Sequence, residues 1–164
     1  MGDYLLVGRI VSTHGIKGEL KVISEFTFID KVFIKNFSFY VSEEFVKETI
    51  KSVRSHKQYQ LVLFNGFEDI NLVDKFIGKN VYIKKSDLVL SESEYLIDDL
   101  MDATVMDKDE VIGKVTEILK SKKNDFVRVS GKKVFLIPLI DEYIEKFDKV
   151  NKVLYTIDGK SLIL

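Results

Sequence analysis

The chain has 164 residues, 46% of them apolar, and its 25 Lys and Arg nearly balance 26 Asp and Glu for a net charge of −1. That length admits one medium domain or two small ones; near-neutrality excludes a polybasic nucleic-acid coat, and the apolar fraction excludes a disordered chain. Cys is absent, which removes disulfides, Cys-ligated zinc or iron–sulfur sites and thiol nucleophiles.

In chain order, residues 4–12 (YLLVGRIVS) and 19–23 (ELKVI) predict two strands joined by a turn, 13–18, that carries Gly15 and Gly18. Residues 33–41, 49–53 and 59–64 predict three more strands, so the first half is expected to be a small closed barrel or sandwich. Ile70, Val73, Phe76 and Ile77 recur at helical spacing behind Asp69 as N-cap, with Gly78 as the terminating residue, and predict one helix. A strand at 80–84 follows. Periodicity then fails, and residues 87–93 are expected to be a linker between domains 1–86 and 94–164.

The second half predicts strands at 103–106, 111–119, 126–129, 133–137 and 152–157, with a polar turn at 107–110. Pro138 ends the fourth of these. Ile140, Tyr143, Ile144 and Phe147 predict a short amphipathic helix. No apolar run reaches the length of a membrane-spanning helix. Asp3 stands where a secretory leader has basic residues, so the expected location is the cytoplasm.

Few residues advertise chemistry. His14 and His56 lie 42 positions apart with no metal-binding motif around either, and His14 has no nucleophile or acid placed beside it by a recognisable pattern. Asp98 and Asp99, read as adjacent strand residues, are expected to point to opposite faces and so to be poorly placed to share one ligand. The segment 107–110 lacks the Gly and Glu of a calcium loop. The Gly15-x-x-Gly18 turn admits two readings: a tight barrel connection, or a binding turn presenting His14 and Lys17. Tyr95, in the polar stretch 91–95, is either a protein-contact anchor or an inter-domain packing residue. No catalytic residue, cofactor or metal is expected.

Val7-Gly8-Arg9-Ile10-Val11 followed by His14-Gly15-Ile16-Lys17-Gly18-Glu19-Leu20-Lys21-Val22 resembles the opening signature of the RimM ribosome-maturation factors. Glu94-Tyr95-Leu96-Ile97-Asp98-Asp99-Leu100 resembles the start of that family's PRC-barrel domain. Val111-Ile112-Gly113-Lys114-Val115, Asn124-Asp125-Phe126 with Val129, and Leu136-Ile137-Pro138 resemble its later segments. Three departures stand out. The family's tyrosine pair is Tyr95-Leu96, its following Gly is replaced by Met101-Asp102, and its Leu-Pro near the linker is Leu88-Val89.

The resemblance implies a mainly β chain with an N-terminal barrel of the elongation-factor, reductase and isomerase type and a C-terminal PRC barrel, with one or two short helices. It implies a non-enzymatic assembly chaperone for the head of the small (30S) ribosomal subunit and for 16S rRNA processing. The implied partner is the small-subunit ribosomal protein numbered nineteen, bound through Tyr95 and Leu96 on an immature subunit; with no obvious long exposed apolar edge in the sequence, the chain is expected to be a monomer. The alternative is an RNA-binding module that contacts immature 16S rRNA through the N-terminal barrel, with His14, Gly15, Lys17, Gly18 and Lys21 at the contact.

Overall fold

The computed structural model describes residues 2–164 and divides the chain into two compact units, 1–89 and 90–164. The first contains β1 (Tyr4–His14), β2 (Glu19–Ile23), a single helical turn α1 (Ile29–Val32), β3 (Ser38–Val41), β4 (Val46–His56), β5 (Tyr59–Phe64) and β6 (Asn80–Lys84). The strands form a closed barrel in the order β1-β2-β5-β4-β3-β6, closed by the antiparallel ladder of β6 on β1. Alternation sets the inside: Leu20 and Val22 of β2, Val62 and Phe64 of β5, and Val81 and Ile83 of β6 share one buried cluster with Phe39, Ile50 and Val32. Register shifts between Leu6 and Gly8, between Ile10 and Ser12, and between Ile50 and Ser52 mark bulges, which increase local strand bending and twist.

Two predicted elements differ here. The strand expected over 33–41 is only Ser38–Val41, because Asn36 takes a left-handed φ of 72° and breaks the extended run. The preceding turn of helix buries Val32 and Phe33 instead. The helix expected over 70–77 is two 3₁₀ turns, Ile70–Leu72 and Asp74–Phe76. Val73 and Phe76 are the buried residues, and with Ile70 they fall three apart, a spacing that a 3₁₀ turn stacks on one side. The ends match the expectation: the Asp69 carboxylate accepts from the Asn71 N–H, and Gly78 has a φ of 84°.

The second unit holds β7 (Thr104–Asp107), β8 (Glu110–Leu119), β9 (Phe126–Ser130), β10 (Val134–Pro138), β11 (Ile144–Asp148) and β12 (Val153–Thr156). They form a six-stranded sheet in the order β10-β9-β8-β7-β12-β11, antiparallel except for the parallel pair β12 and β7. The end strands β10 and β11 are not hydrogen-bonded to each other, yet Phe135 and Ile137 of β10 and Phe147 of β11 belong to one core with Val105, Val115, Val127, Val129 and Leu154. The amphipathic helix expected around Ile140–Phe147 is a correction: residues 140–143 make a turn closed by Tyr143 and Ile144 N–H groups on the Ile140 carbonyl, and Ile144–Asp148 is a strand. Phe147 opposite Leu154 pulls it into the sheet, so tertiary pairing overrides the local spacing. Asp102, near the position where the resembling family carries Gly, has a φ of 67°, a left-handed conformation that Asp tolerates better than most residues.

Between the units, residues 88–90 have no regular structure and Val89 is 80% exposed. Limited proteolysis should cut first within 87–93, since such segments open locally at low cost. A first cut near Lys47 or Lys122, with 87–93 intact, would place the weak point elsewhere.

Candidate functional site

In the first unit the turn residues Gly15 and Gly18 both lie at positive φ, 70° and 94°. They differ in what surrounds them. A Cβ on Gly15 would meet nothing within 4 Å, whereas one on Gly18 would fall 2.0 Å from the Phe67 carbonyl oxygen. The Ile16 carbonyl accepts from Ile70 N–H, so the turn is fastened to the segment that follows β5. Gly18 thus makes a close backbone approach, while Gly15, Ile16 and Lys17 stay exposed.

His14, at the end of β1, is brought to His56, at the end of β4, with ring centroids 4.9 Å apart. Neither spacing nor motif signals this pair, because the strands that bring the two together are set by barrel closure. Around them lie outward-facing side chains of β2, β4 and β5. Arg54 donates two hydrogen bonds to the Glu19 carboxylate, Nε to Oε2 and Nη2 to Oε1, both 3.0 Å. That bond, more than the further pull of Arg54, His14 and His56, holds the Glu19 carboxyl below the ordinary range against the opposing effect of its burial. The Lys21 ammonium lies 5.3 Å from the Tyr59 ring centroid. Desolvation, followed by the charges of His14, Lys57, Arg54 and Lys21, pushes the His56 imidazole down. Leu61 stands between Lys21 and Arg54 in the ladders and is fully buried although it is not part of the barrel core. The stems of the neighbouring long side chains are suited to cover it.

In the second unit Tyr95 packs half-buried against the core, its ring 5.2 Å from that of Phe147 and edge-on to it. Lys149 Nζ donates to the Ser91 and Glu94 carbonyls at 2.8 Å each and so ties the segment before Tyr95 to the turn after β11. Leu96 is half-buried and lies outside both core clusters. The Asp99 carboxylate accepts from Leu96 N–H, while Asp98 pairs with Lys120 at 3.4 Å, so the two acids are engaged separately. Burial, and secondarily the Asp141 carboxylate, push the Tyr95 phenol above its ordinary range.

The sign of that shift makes a prediction. The folded unit resists losing the Tyr95 proton more than the unfolded chain does, so this contribution to stability is complete below pH about 10 and is lost as pH rises through the folded-state value. Melting temperature should therefore fall less steeply between about pH 9 and about pH 11 in Tyr95→Phe than in the wild type. Equal slopes would mean that the phenol titrates alike in both states.

Among the described residues no group of three or more His, Asp or Glu is placed to hold a metal ion, and no helix is long and apolar enough to cross a membrane. Sequence reasoning singled out Tyr95, Leu96 and the Gly turn and gave no role to Arg54, His56, Tyr59 or Lys149, which the structure brings beside them. Alternation along 49–64 puts the first three on one strand face, a signal that acquires meaning only once the registers to β2 are known.

The chain thus carries two β units, one presenting a cation and imidazole cluster and the other a fastened aromatic beside a half-buried leucine. The comparisons give the family. The RimM N-terminal domain model matches residues 5–88. The ribosome maturation factor RimM of Staphylococcus haemolyticus is 37% identical over 153 residues, 90% of this chain and 92% of that protein. That of Geobacillus thermodenitrificans is 38% identical over 162 residues, 94% and 93% of the two chains. The chain belongs to the RimM family of ribosome maturation factors. Among solved structures, a RimM from Pseudomonas aeruginosa, described as a 16S ribosomal RNA processing protein, aligns over 97% of this chain and 99% of its own at 20% identity and a TM-score of 0.44. The N-terminal domain of RimM from Thermus thermophilus aligns over 53% of this chain and 95% of its own at 21% identity and a TM-score of 0.46.

Proposed function

We propose that this chain acts in ribosome maturation as a non-enzymatic, cytoplasmic assembly chaperone of the small subunit. In this reading it binds, as a monomer, the ribosomal protein numbered nineteen in the head of an immature 30S particle. The observation that carries the reading is the Tyr95-Leu96 pair: an aromatic ring held in place by Phe147 and by the Lys149 tether, next to a leucine that neither core takes up. A preorganised aromatic anchor is what a compact protein contact needs. Its surroundings are acidic, with Asp141 felt by the ring and Asp98 exposed nearby in sequence, which suits the basic surface of a protein that itself binds rRNA.

The chaperone holds its partner in an assembly-competent state and leaves when rRNA contacts replace its own. That requires a difference in affinity between immature and mature particles rather than tight binding to both. Incubation of the full chain with purified small-subunit proteins, followed by identification of what it retains, tests the reading directly. Retention of protein nineteen supports it, and retention of none of them overturns it. A second reading, direct contact with immature 16S rRNA through the first unit, is favoured by the cation cluster around His14.

A further inference from the structure

We propose that His14, Lys21, Arg54, His56 and Lys57 form one phosphodiester-binding site for RNA on the outer face of the first barrel, with the His56 imidazole taking up a proton as the phosphate binds. The inference rests on the ribosome-maturation reading for its choice of RNA over other polyanions. It keeps His14 and Lys21 of the sequence expectation and replaces Gly15, Lys17 and Gly18 with Arg54 and His56 of β4 and Lys57 of the turn after it.

Charge and packing point the same way. Lys21, Arg54 and Lys57 all act on His56, and one carboxylate, Glu19, answers them. Glu19 is held by both arms of the Arg54 fork, and neither Lys21 nor Lys57 forms an ion pair within 4 Å. Three fixed cations against one anion leave an excess of positive charge. Lys21 is held over the Tyr59 ring, so part of the ordering cost of its flexible stem is met before a ligand arrives. Arg54, oriented by Glu19 and exposed, still has a donor for a phosphate oxygen. The imidazoles lie side by side at the surface rather than in a buried core: both are half-buried at strand ends, with centroids 4.9 Å apart.

The proton follows from the electrostatics. Without a ligand, desolvation and the surrounding cations disfavour a charge on His56. The groups facing it are His14 from β1, Glu19 and Lys21 from β2, Arg54 from its own strand and Lys57 from the turn. A phosphate placed among them adds negative charge and reverses the balance, so the bound state favours the protonated ring and binding strengthens as pH falls. Loss of that His56 proton as pH rises then weakens the grip, which suits a contact that must be released.

The test is fluorescence anisotropy of the full chain with a labelled single-stranded RNA of mixed sequence, at several salt concentrations and two pH values. Binding should fall with a log–log salt slope of about −2 and tighten about fivefold from pH 7.5 to pH 6. Lys21→Ala and Lys57→Ala should each reduce the slope by about 0.7. His14→Gln combined with His56→Gln should abolish the pH dependence while leaving the melt unchanged. RNA binding that keeps its slope and pH dependence in these variants overturns the site, as does no RNA binding. So does equal affinity for polyglutamate, which would mark an acidic-protein surface, or saturation by inorganic phosphate that RNA does not displace. Retention of protein nineteen by the same preparation separates failure of this site from failure of the ribosome-maturation reading.

Discussion

Gly18→Ala should destabilise the first unit by about 3–5 kcal/mol, against about 1 kcal/mol for Gly15→Ala. Both positions have positive φ, so both substitutions strain the backbone. Only at Gly18 does the new Cβ also collide with a backbone carbonyl, that of Phe67, which cannot rotate aside as a side-chain tip would. The same carbonyl belongs to the segment fastened to the turn through the Ile16–Ile70 hydrogen bond, so relief of the clash strips that anchor as well. Calorimetry of the full chain reads this out, with the second unit's transition as an internal standard. Val at the two positions should keep the same order. Equal, small effects at both glycines would mean that the turn does not make the close approach described.

Tyr95→Ala should weaken binding to ribosomal protein nineteen by about 2–4 kcal/mol, roughly 30- to 1,000-fold in affinity. The ring is also packed on Phe147, so this variant should lower the stability of the second unit by about 1–3 kcal/mol. Two further variants separate the effects. Leu96→Ala removes an aliphatic group that no core uses and should weaken binding with the melt unchanged. Tyr95→Phe keeps the ring on Phe147 and should retain most of the affinity. Leu96→Tyr, which restores the family pair, should bind as well as the wild type or better. Titration calorimetry with melts as control checks all four. Normal binding by folded Tyr95→Ala and Leu96→Ala would remove this pair from the contact.

The β character of the chain was legible because period-two alternation is local: residues 4–12, 19–23, 59–64, 80–84 and 111–119 all lie in strands. The caps at Asp69 and Gly78 were legible for the same reason. The two helix readings went astray where apolar spacing alone was ambiguous. Ile70, Val73 and Phe76 fit a 3₁₀ stack as well as an α-helix, and Phe147 was claimed by Leu154 as its partner across an antiparallel strand pair, which apolar spacing within 140–147 does not reveal. The family signature supplied Tyr95, Leu96 and the Gly turn. The imidazole pair stayed hidden because His14 and His56 meet only after the barrel has closed, and no pattern along the chain encodes that closure.

The order of strands has a consequence for how this protein is made. In each unit the last strand is the one that joins the first: β6 on β1, and β12 on β7 by the parallel pairing at Val153–Thr156. A ribosome synthesising the chain can release a finished first barrel as soon as Lys84 has cleared its exit tunnel. The second unit must wait until Val153–Thr156 has emerged, because β12 joins β7 and also carries β11. Long-range strand pairing of this kind is slow and leaves apolar faces open in the meantime. The sheet whose core Tyr95 packs against is therefore completed only once β12 has paired, whereas the first barrel closes independently of it.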